Sequence, residues 1–135
     1  MKKLFIDSDI ILDLLIERDD YISAAQLLSR IYNGEFEGYT SPLVVANVYY
    51  IITKYEGKNK ALESIKRIRQ ILSIIPIDEQ IIDEAIIRDS KDFEDAIQFI
   101  AAEKNSLSCI ITRNKKDYIG CKIPVQTAKE FINIK

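Results

Sequence analysis

The chain has 135 residues, of which 47% are hydrophobic and 30% charged, and its formal net charge is −2. These values predict one globular domain, residues 1–135, and exclude a disordered or fibrous protein. Histidine is absent and there are only two cysteines, which excludes the usual zinc sites and any Ser-His or Cys-His catalytic pair. The net charge provides no general attraction for nucleic acid, so such binding would require local positive charge.

No membrane segment or secretory signal is predicted. The longest uncharged stretch, Pro42 to Thr53, is shorter than the roughly 20 residues of a membrane-spanning helix, and we expect it to form a buried helix. The apolar run after Lys2-Lys3 is broken by Asp7 and Asp9, whereas a signal peptide requires a longer one. We therefore expect a cytoplasmic protein.

Short apolar runs alternate with helical repeats from the start of the chain. Leu4–Ile6 predicts a buried strand that ends at Asp7. Apolar residues at helical spacing predict a helix over residues 10–15 and a second one that ends at Asn33-Gly34. Residues 38–40 then predict a second short strand.

The second half of the chain continues this alternation. Ser41 is predicted to cap a helix over residues 42–55, and a helix with a basic outer side follows it. Asp78 and Asp92 are predicted to cap two more helices. Further strands are predicted over residues 74–77, 108–112 and 123–126, before a terminal helix. This order predicts a three-layer α/β/α sandwich with a central, mostly parallel sheet of four to five short strands.

Polar side chains follow two of the predicted strands. Asp7 follows the first strand, and Thr112, Asn114 and Asp117 follow the strand that contains Cys109–Ile111. Ligands of an open parallel sheet bind beyond the carboxyl ends of its strands, near the point where the strand order reverses. If these two strands are neighbours, their polar ends converge on one site.

Other polar residues have both a structural and a functional interpretation. Asp92 and Asp95 share the first turn of a predicted helix; capping is favoured for Asp92 and a role in the site for Asp95. Asn47 lies among apolar residues of its helix, so its amide requires a partner or points into the acidic pocket. Asp9 is expected to cap the first helix, and Asp13 to lie on its solvated side.

Clustered carboxylates repel one another and raise their own pKa values unless a cation pairs with them. Mg²⁺ or Mn²⁺ is the natural partner, because these ions prefer oxygen ligands and retain bound water. Such ions also stabilise the attacking and leaving oxygens of a phosphoryl displacement. This chemistry requires no histidine.

Four segments of the chain contain motifs of polar and apolar residues: residues 5–15, 41–50, 92–97 and 112–118. In this order they resemble the motifs of the PIN-domain family and its VapC-like toxin ribonucleases. Carried over by position, Asp7 matches the first acid of the family, Asp95 the third, and Asp117 the late acid. Asn47 stands where the family usually has glutamate, and Asn114 where many members have aspartate. An amide oxygen can ligate a metal but adds no charge, so weaker metal binding is expected.

The resemblance implies a Mg²⁺- or Mn²⁺-dependent ribonuclease that hydrolyses phosphodiester bonds. It also implies an RNA substrate, an antitoxin-type inhibitor protein and a homodimer. The implied catalytic and metal-binding residues are Asp7, Asp95 and Asp117, with Asn47, Asp92, Thr112 and Asn114 in supporting roles. The residues expected to contact phosphate are Arg113, Lys115 and Lys116.

Three alternatives to an active ribonuclease match parts of the sequence to different extents. The two asparagines favour a catalytically weakened PIN fold that binds RNA or a partner protein without cutting it. Asp7-Ser8-Asp9 after a first strand is also similar to the opening of haloacid-dehalogenase-type phosphatases, but the later motifs of that class do not match. A response-regulator receiver fits less well, because no phosphoacceptor strand or partner lysine can be assigned.

Overall fold

The computed structural model describes residues 1–134. Within them, the strands are β1 (Lys3–Ile6), β2 (Glu37–Thr40), β3 (Ser73–Ile74), β4 (Cys109–Ile111) and β5 (Val125–Gln126). The helices are α1 (Ser8–Leu15), α2 (Tyr21–Tyr32), α3 (Pro42–Glu56), α4 (Lys58–Arg69), α5 (Glu79–Arg88), α6 (Phe93–Lys104) and α7 (Ala128–Ile134), together with a 3-10 helix, Lys115–Tyr118. All strand pairs are parallel. The predicted three-layer α/β/α sandwich is confirmed.

The strand order of the sheet is β3-β2-β1-β4-β5, and it reverses beside β1. The chain adds β2 and β3 on one side of β1, then crosses back to add β4 and β5 on the other side. Because such crossovers are right-handed, α1 to α4 cover one face of the sheet and α5 and α6 cover the opposite face. The carboxyl ends of β1 and β4 therefore border the crevice in which sheets of this type bind ligands.

The central strand β1 positions the first acid of the chain. Leu4, Phe5 and Ile6 are fully buried, because β1 has strands on both sides and helices on both faces. Ile6 is in register with Ile111 of β4, and the backbone N–H of Asp7 donates to the Ile111 carbonyl at 3.0 Å. The hydrogen-bond ladder thus continues past β1 and holds the Asp7 backbone beside the end of β4.

Three predicted helix starts are confirmed. Ser41, Asp78 and Asp92 each precede a helix, and the side chain of each accepts a backbone N–H from the residue three positions later, at 3.1 Å. Pro42 fills the first position of α3, where no backbone N–H donor is needed. Caps of this kind depend on near neighbours in the sequence, which explains why they were predictable.

Helix α3 is buried along one face only, so the expectation of a buried helix holds for that face and not for the other. Val44, Val48 and Ile52 face the core, whereas Tyr50 is 59% exposed. The buried residues recur every four positions, as in an amphipathic helix whose outer face is uncharged rather than buried. Neither α3 nor any other helix in the described residues is long and apolar enough to cross a membrane.

Candidate active site

Asp7 lies at the carboxyl end of β1, where its carboxylate accepts three hydrogen bonds. Its Oδ1 accepts the backbone N–H of Ser8 at 2.7 Å, so Asp7 is the N-cap of α1. Its Oδ2 accepts the hydroxyls of Thr112 at 2.9 Å and of Tyr118 at 2.8 Å. Burial raises the pKa of this carboxyl, and the hydrogen bonds oppose that shift. The side chain is held in one orientation by groups from three segments.

Asp9 lies in the first turn of α1 and faces the end of β4. Its carboxylate accepts the backbone N–H of Arg113 and the side-chain amide of Asn114, both at 3.2 Å. Its Oδ2 also lies 3.3 Å from Thr112 Oγ1. Burial, and then the charge of Asp7, raises the pKa of Asp9 to about 6. The prediction that Asp9 caps α1 is wrong, because Asp7 occupies that position.

Asp95 lies in the first turn of α6, partly buried at the same end of the sheet. Burial is the largest cause that raises its pKa, to about 8. The next causes are the charges of Asp7, Asp92 and Asp117. These carboxylates are therefore within electrostatic reach of Asp95. Asp117 is exposed on the 3-10 helix, and Asp92 is exposed and caps α6, as its structural interpretation predicts.

We define the acidic cluster as Asp7, Asp9, Asp95 and Asp117. Its donors are carboxylate oxygens, the ligands preferred by hard divalent cations such as Mg²⁺ and Mn²⁺. Mutual repulsion contributes to the raised pKa values of Asp7, Asp9 and Asp95, so added positive charge would stabilise the ionised cluster. Within residues 1–134, no three acidic side chains already form a closed metal-binding group. The carboxylate oxygens of the cluster suit a divalent cation in chemistry and charge. In this structure they do not yet surround a position for the ion.

Two asparagines border the acidic cluster. Asn47 is exposed on α3, and its side-chain amide donates to Ser8 Oγ at 3.1 Å, beside Asp7. The expectation that apolar neighbours surround this amide is wrong, because Ala46 and Asn47 lie on the exposed side of the helix. Asn114 lies beyond β4 and donates to Asp9. Both amides add hydrogen bonds near the cluster without adding charge.

Two of the three basic residues predicted to contact phosphate are paired with acids. The Arg113 guanidinium donates to Asp13 at 3.0 Å and also to Asp19. The backbone N–H of Arg113, and not its side chain, donates to Asp9. Asp13 is 2% exposed, and the prediction that it lies on the solvated side of α1 is wrong. Lys115 Nζ donates to a carboxylate of α7, Glu130 Oε2, at 2.9 Å.

Lys116, the third of these residues, is exposed and lines a cavity of about 730 Å³. Asp92 and Asp117 line the same cavity. Because Asp117 belongs to the acidic cluster, this cavity borders the cluster.

Tyr118 is a site residue that the sequence analysis missed. It is 2% exposed, its ring lies 6.2 Å from that of Phe99, and its hydroxyl donates to Asp7. Burial, and then the charge of Asp7, raises the pKa of this hydroxyl, which therefore remains protonated and able to donate. The sequence offers one weak signal, its position directly after Asp117. The 3-10 helix that turns Tyr118 inward was not predicted.

Tyr118→Phe is expected to lower the unfolding free energy of the metal-free protein by about 1–2 kcal/mol, because a hydrogen bond to a buried carboxylate is lost. The ring packing against Phe99 is retained, so the effect should come from the hydroxyl alone. Urea unfolding with EDTA measures the difference. The same substitution should cost less in an Asp7→Asn background, and an equal cost in both backgrounds would assign the lost energy to another contact.

The fold agrees with a family comparison. Residues 3–116 match the PIN domain family. The chain therefore belongs to the PIN-domain family, and the predicted resemblance is confirmed.

One relative supports this membership, and two solved structures have a similar fold. The chain is 32% identical over 136 aligned positions to Ribonuclease VapC1 of Aquifex aeolicus (strain VF5), an alignment that covers 96% of this chain and 93% of that protein. A toxin–antitoxin complex from Klebsiella pneumoniae contains a chain with a TM-score of 0.70 and 24% identity, covering 93% of this chain and 97% of that one. VapBC2 from Rickettsia felis, bound to a DNA fragment from its promoter, gives a TM-score of 0.72 and 13% identity, with 93% and 98% covered. The two structures support the fold.

Proposed function

We propose that this protein is a divalent-metal-dependent endoribonuclease and the toxin of a toxin–antitoxin pair. The observation that carries the proposal is the convergence of Asp7, Asp9, Asp95 and Asp117 at the strand-order reversal of a PIN fold. The 32% identity to a protein named as a ribonuclease supports the reaction class. Residues 1–135 would act as one PIN-like domain in the cytoplasm, where an RNA substrate is available.

We assign the metal, Mg²⁺ or Mn²⁺, to Asp7, Asp95 and Asp117, with Asp9 as a further carboxylate of the same cluster. When bound, the cation would lower the pKa of a water and offset the charge that grows on a phosphodiester. Asp95, with a pKa of about 8, holds its proton at pH 7 in the metal-free protein, so metal binding should release a proton.

The supporting residues orient the carboxylates. The hydroxyls of Thr112 and Tyr118 hold Asp7, and the Asn114 amide holds Asp9. Asn47 acts one step further away, through the Ser8 hydroxyl. Residues in contact with metal ligands of this kind typically change metal affinity or activity about 10- to 100-fold when they are replaced.

Two protein partners belong to the proposal: an antitoxin-type inhibitor and a second copy of this chain. Support for the inhibitor comes from the toxin–antitoxin complexes among the structural neighbours. A partner could also bury large apolar side chains that are exposed on this chain. Those on α3 and α5 are Tyr50, Tyr55, Ile86 and Ile87.

The alternative function is a catalytically weakened PIN fold that binds RNA or protein. The observation that favours it is that Asn47 and Asn114 contribute hydrogen-bond donors beside the acidic cluster, where they add no negative charge for a cation.

Incubation of the purified chain with single-stranded and structured RNA, in Mn²⁺ or in EDTA, tests the function. Cleavage should require Mn²⁺ and should fall at least about 100-fold in Asp7→Asn, which retains an oxygen for the α1 cap. Cleavage that survives this substitution would indicate a contaminating nuclease. Absence of cleavage, together with no Mn²⁺ binding by calorimetry, would support the alternative.

A further inference from the structure

Gln98 is a buried polar residue that has no role in the site described above. It lies on α6, one turn after Asp95, and the residue is only 4% exposed. Residues three positions apart lie on the same side of a helix, so Gln98 and Asp95 are neighbours on the surface of α6. A buried amide requires hydrogen-bond partners for both of its ends. The partners of the Gln98 amide therefore indicate what this residue does.

The carbonyl end of the Gln98 amide is held by Ser41. The hydroxyl of Ser41, which has no exposed surface, donates to Gln98 Oε1 at 2.6 Å and accepts the backbone N–H of Val44 at 3.1 Å. The reverse orientation of the amide would place its NH₂ group against this hydroxyl and leave the buried hydroxyl proton without its acceptor. The hydrogen bonds therefore place Oε1 on Ser41 and direct Nε2 away from it.

The Gln98 amide lies at the edge of the sheet that carries the acidic cluster. Ser41 directly follows β2, and the hydroxyl of the preceding residue, Thr40, donates to the carbonyl of Ile6 at 2.8 Å. Ile6 ends β1 and is followed by Asp7. The Gln98 side chain thus extends from α6 to the carboxyl ends of the two strands β1 and β2.

The other end of this amide, the Nε2 group, has no acceptor in the metal-free protein. Within residues 1–134 the only hydrogen bond of the Gln98 side chain is the one at Oε1. The single fully buried side-chain N or O atom without a partner in these residues is Thr53 Oγ1, so Gln98 Nε2 must retain contact with solvent. A donor that is fixed in position and reaches solvent beside the acidic cluster is available to a ligand that accepts hydrogen bonds.

We propose that Gln98 is a further catalytic residue, whose Nε2 group donates to a non-bridging oxygen of the phosphodiester bound at the acidic cluster. This inference rests on the proposed ribonuclease function. A donor that is held in place beforehand stabilises the charge that grows on the phosphate oxygens more than it stabilises the bound substrate. An uncharged amide also remains available beside carboxylates, whereas Arg113 and Lys115 are already paired with acids.

RNA cleavage by full-length variants in Mn²⁺ tests this role. Gln98→Glu keeps the length of the side chain and an oxygen that can accept the Ser41 hydroxyl, but it replaces the donor. Gln98→Met removes the donor without adding charge. Both substitutions should lower kcat about 10- to 100-fold, and in Gln98→Met the KM should change less than about threefold, because the contact strengthens in the transition state.

Ser41→Ala is the matched control for the hydrogen bond at Oε1. It removes that bond and leaves the Nε2 donor of Gln98 in place, so it should lower kcat less than about threefold. Urea unfolding shows whether each variant is folded under the assay conditions. Equal losses of kcat in Gln98→Met and Ser41→Ala, or full activity in Gln98→Glu, would show that Gln98 acts only through its bond to Ser41, and would overturn the inference.

The contact itself is tested by NMR of side-chain amides in the Mg²⁺-loaded wild-type protein. The Gln98 resonances, identified by their absence in Gln98→Met, should shift when inorganic phosphate is added. Gln80, which is exposed on α5, is the control, and its resonances should not move. If phosphate does not bind, or if it binds and leaves the Gln98 resonances unchanged, the inference is wrong.

The inference and the proposed function can fail separately. If the wild-type chain cuts RNA in Mn²⁺ and the Gln98 variants cut it at the same rate, the ribonuclease function stands and the role of Gln98 is rejected. If phosphate shifts the Gln98 resonances but the wild-type chain cuts no RNA, the ribonuclease proposal fails and Gln98 belongs to a phosphate-binding site only.

Discussion

Asp95→Asn is expected to lower metal-dependent RNA cleavage at least about 100-fold and yet to make the metal-free protein more stable at pH 8. The pKa of Asp95 is raised to about 8 by burial and by neighbouring acids, which means that the folded protein disfavours the charge of this carboxylate. An uncharged amide of nearly the same shape removes that cost. After allowance for screening of a partly exposed group, the expected gain in unfolding free energy is roughly 1 kcal/mol.

Cleavage assays and urea unfolding with EDTA measure the two effects of Asp95→Asn. Asp83→Asn is a matched control, because Asp83 is an exposed acid of α5 that lies outside the acidic cluster. The control should change neither cleavage nor stability. If Asp95→Asn is less stable than the wild-type protein at pH 8, the Asp95 carboxylate makes stabilising contacts, and its assignment as a ligand with unbalanced charge is wrong.

The metal-free protein is expected to lose stability as the pH rises from about 5 to 8. The pKa values of Asp9, about 6, and Asp95, about 8, lie above the ordinary value of 3.8. In this pH range the folded state therefore retains protons that the unfolded state has already released, so the unfolding free energy falls with rising pH. The stability that these protons confer is lost as the pH passes through the folded pKa values. The pKa values of Glu84 and Glu130 are lowered by hydrogen bonds, so these two groups do not oppose this trend by retaining protons.

Saturating Mn²⁺ should reduce or reverse this loss of stability, because the ion binds the ionised carboxylates and binds them more tightly at higher pH. Urea unfolding at pH 5, 6, 7 and 8, in EDTA and in Mn²⁺, measures the effect. The pH dependence in EDTA should be weaker in Asp95→Asn. If the unfolding free energy of the wild-type protein in EDTA does not change between pH 5 and 8, these acids do not raise one another's pKa values.

The two asparagines beside the acidic cluster are relevant to the affinity of the cluster for a metal ion. Asn114 donates to Asp9, and Asn47 donates to Ser8, which is the residue between Asp7 and Asp9. Both amides therefore help to position groups near the cluster in the metal-free protein. We therefore propose that both amides have a positioning role in addition to adding no charge, and a lower affinity for Mn²⁺ remains the expected consequence.

The sequence alone determined those features of this protein that arise from neighbouring residues. The helix caps at Ser41, Asp78 and Asp92 were predictable because a side chain and an N–H three residues later form them locally. The strand that ends at Asp7 was predictable because an apolar run stops there. The parallel sheet then followed from the alternation of strands and helices.

Only the tertiary structure decided the roles of Asp9, Asp13 and Arg113. The sequence predicted Asp9 as a cap and Asp13 as a solvated residue, because local sequence does not show which residues lie across the sheet. Arg18, five positions along the chain, donates to Asp13 at 3.2 Å. The partner that Asp9 and Asp13 share lies about 100 positions away: the Arg113 backbone binds Asp9 and its guanidinium binds Asp13. Tyr118 reaches Asp7 across 111 positions in the same way. Such contacts depend on β1 and β4 being neighbours, and strand order is set by the packing of the whole chain rather than by local sequence.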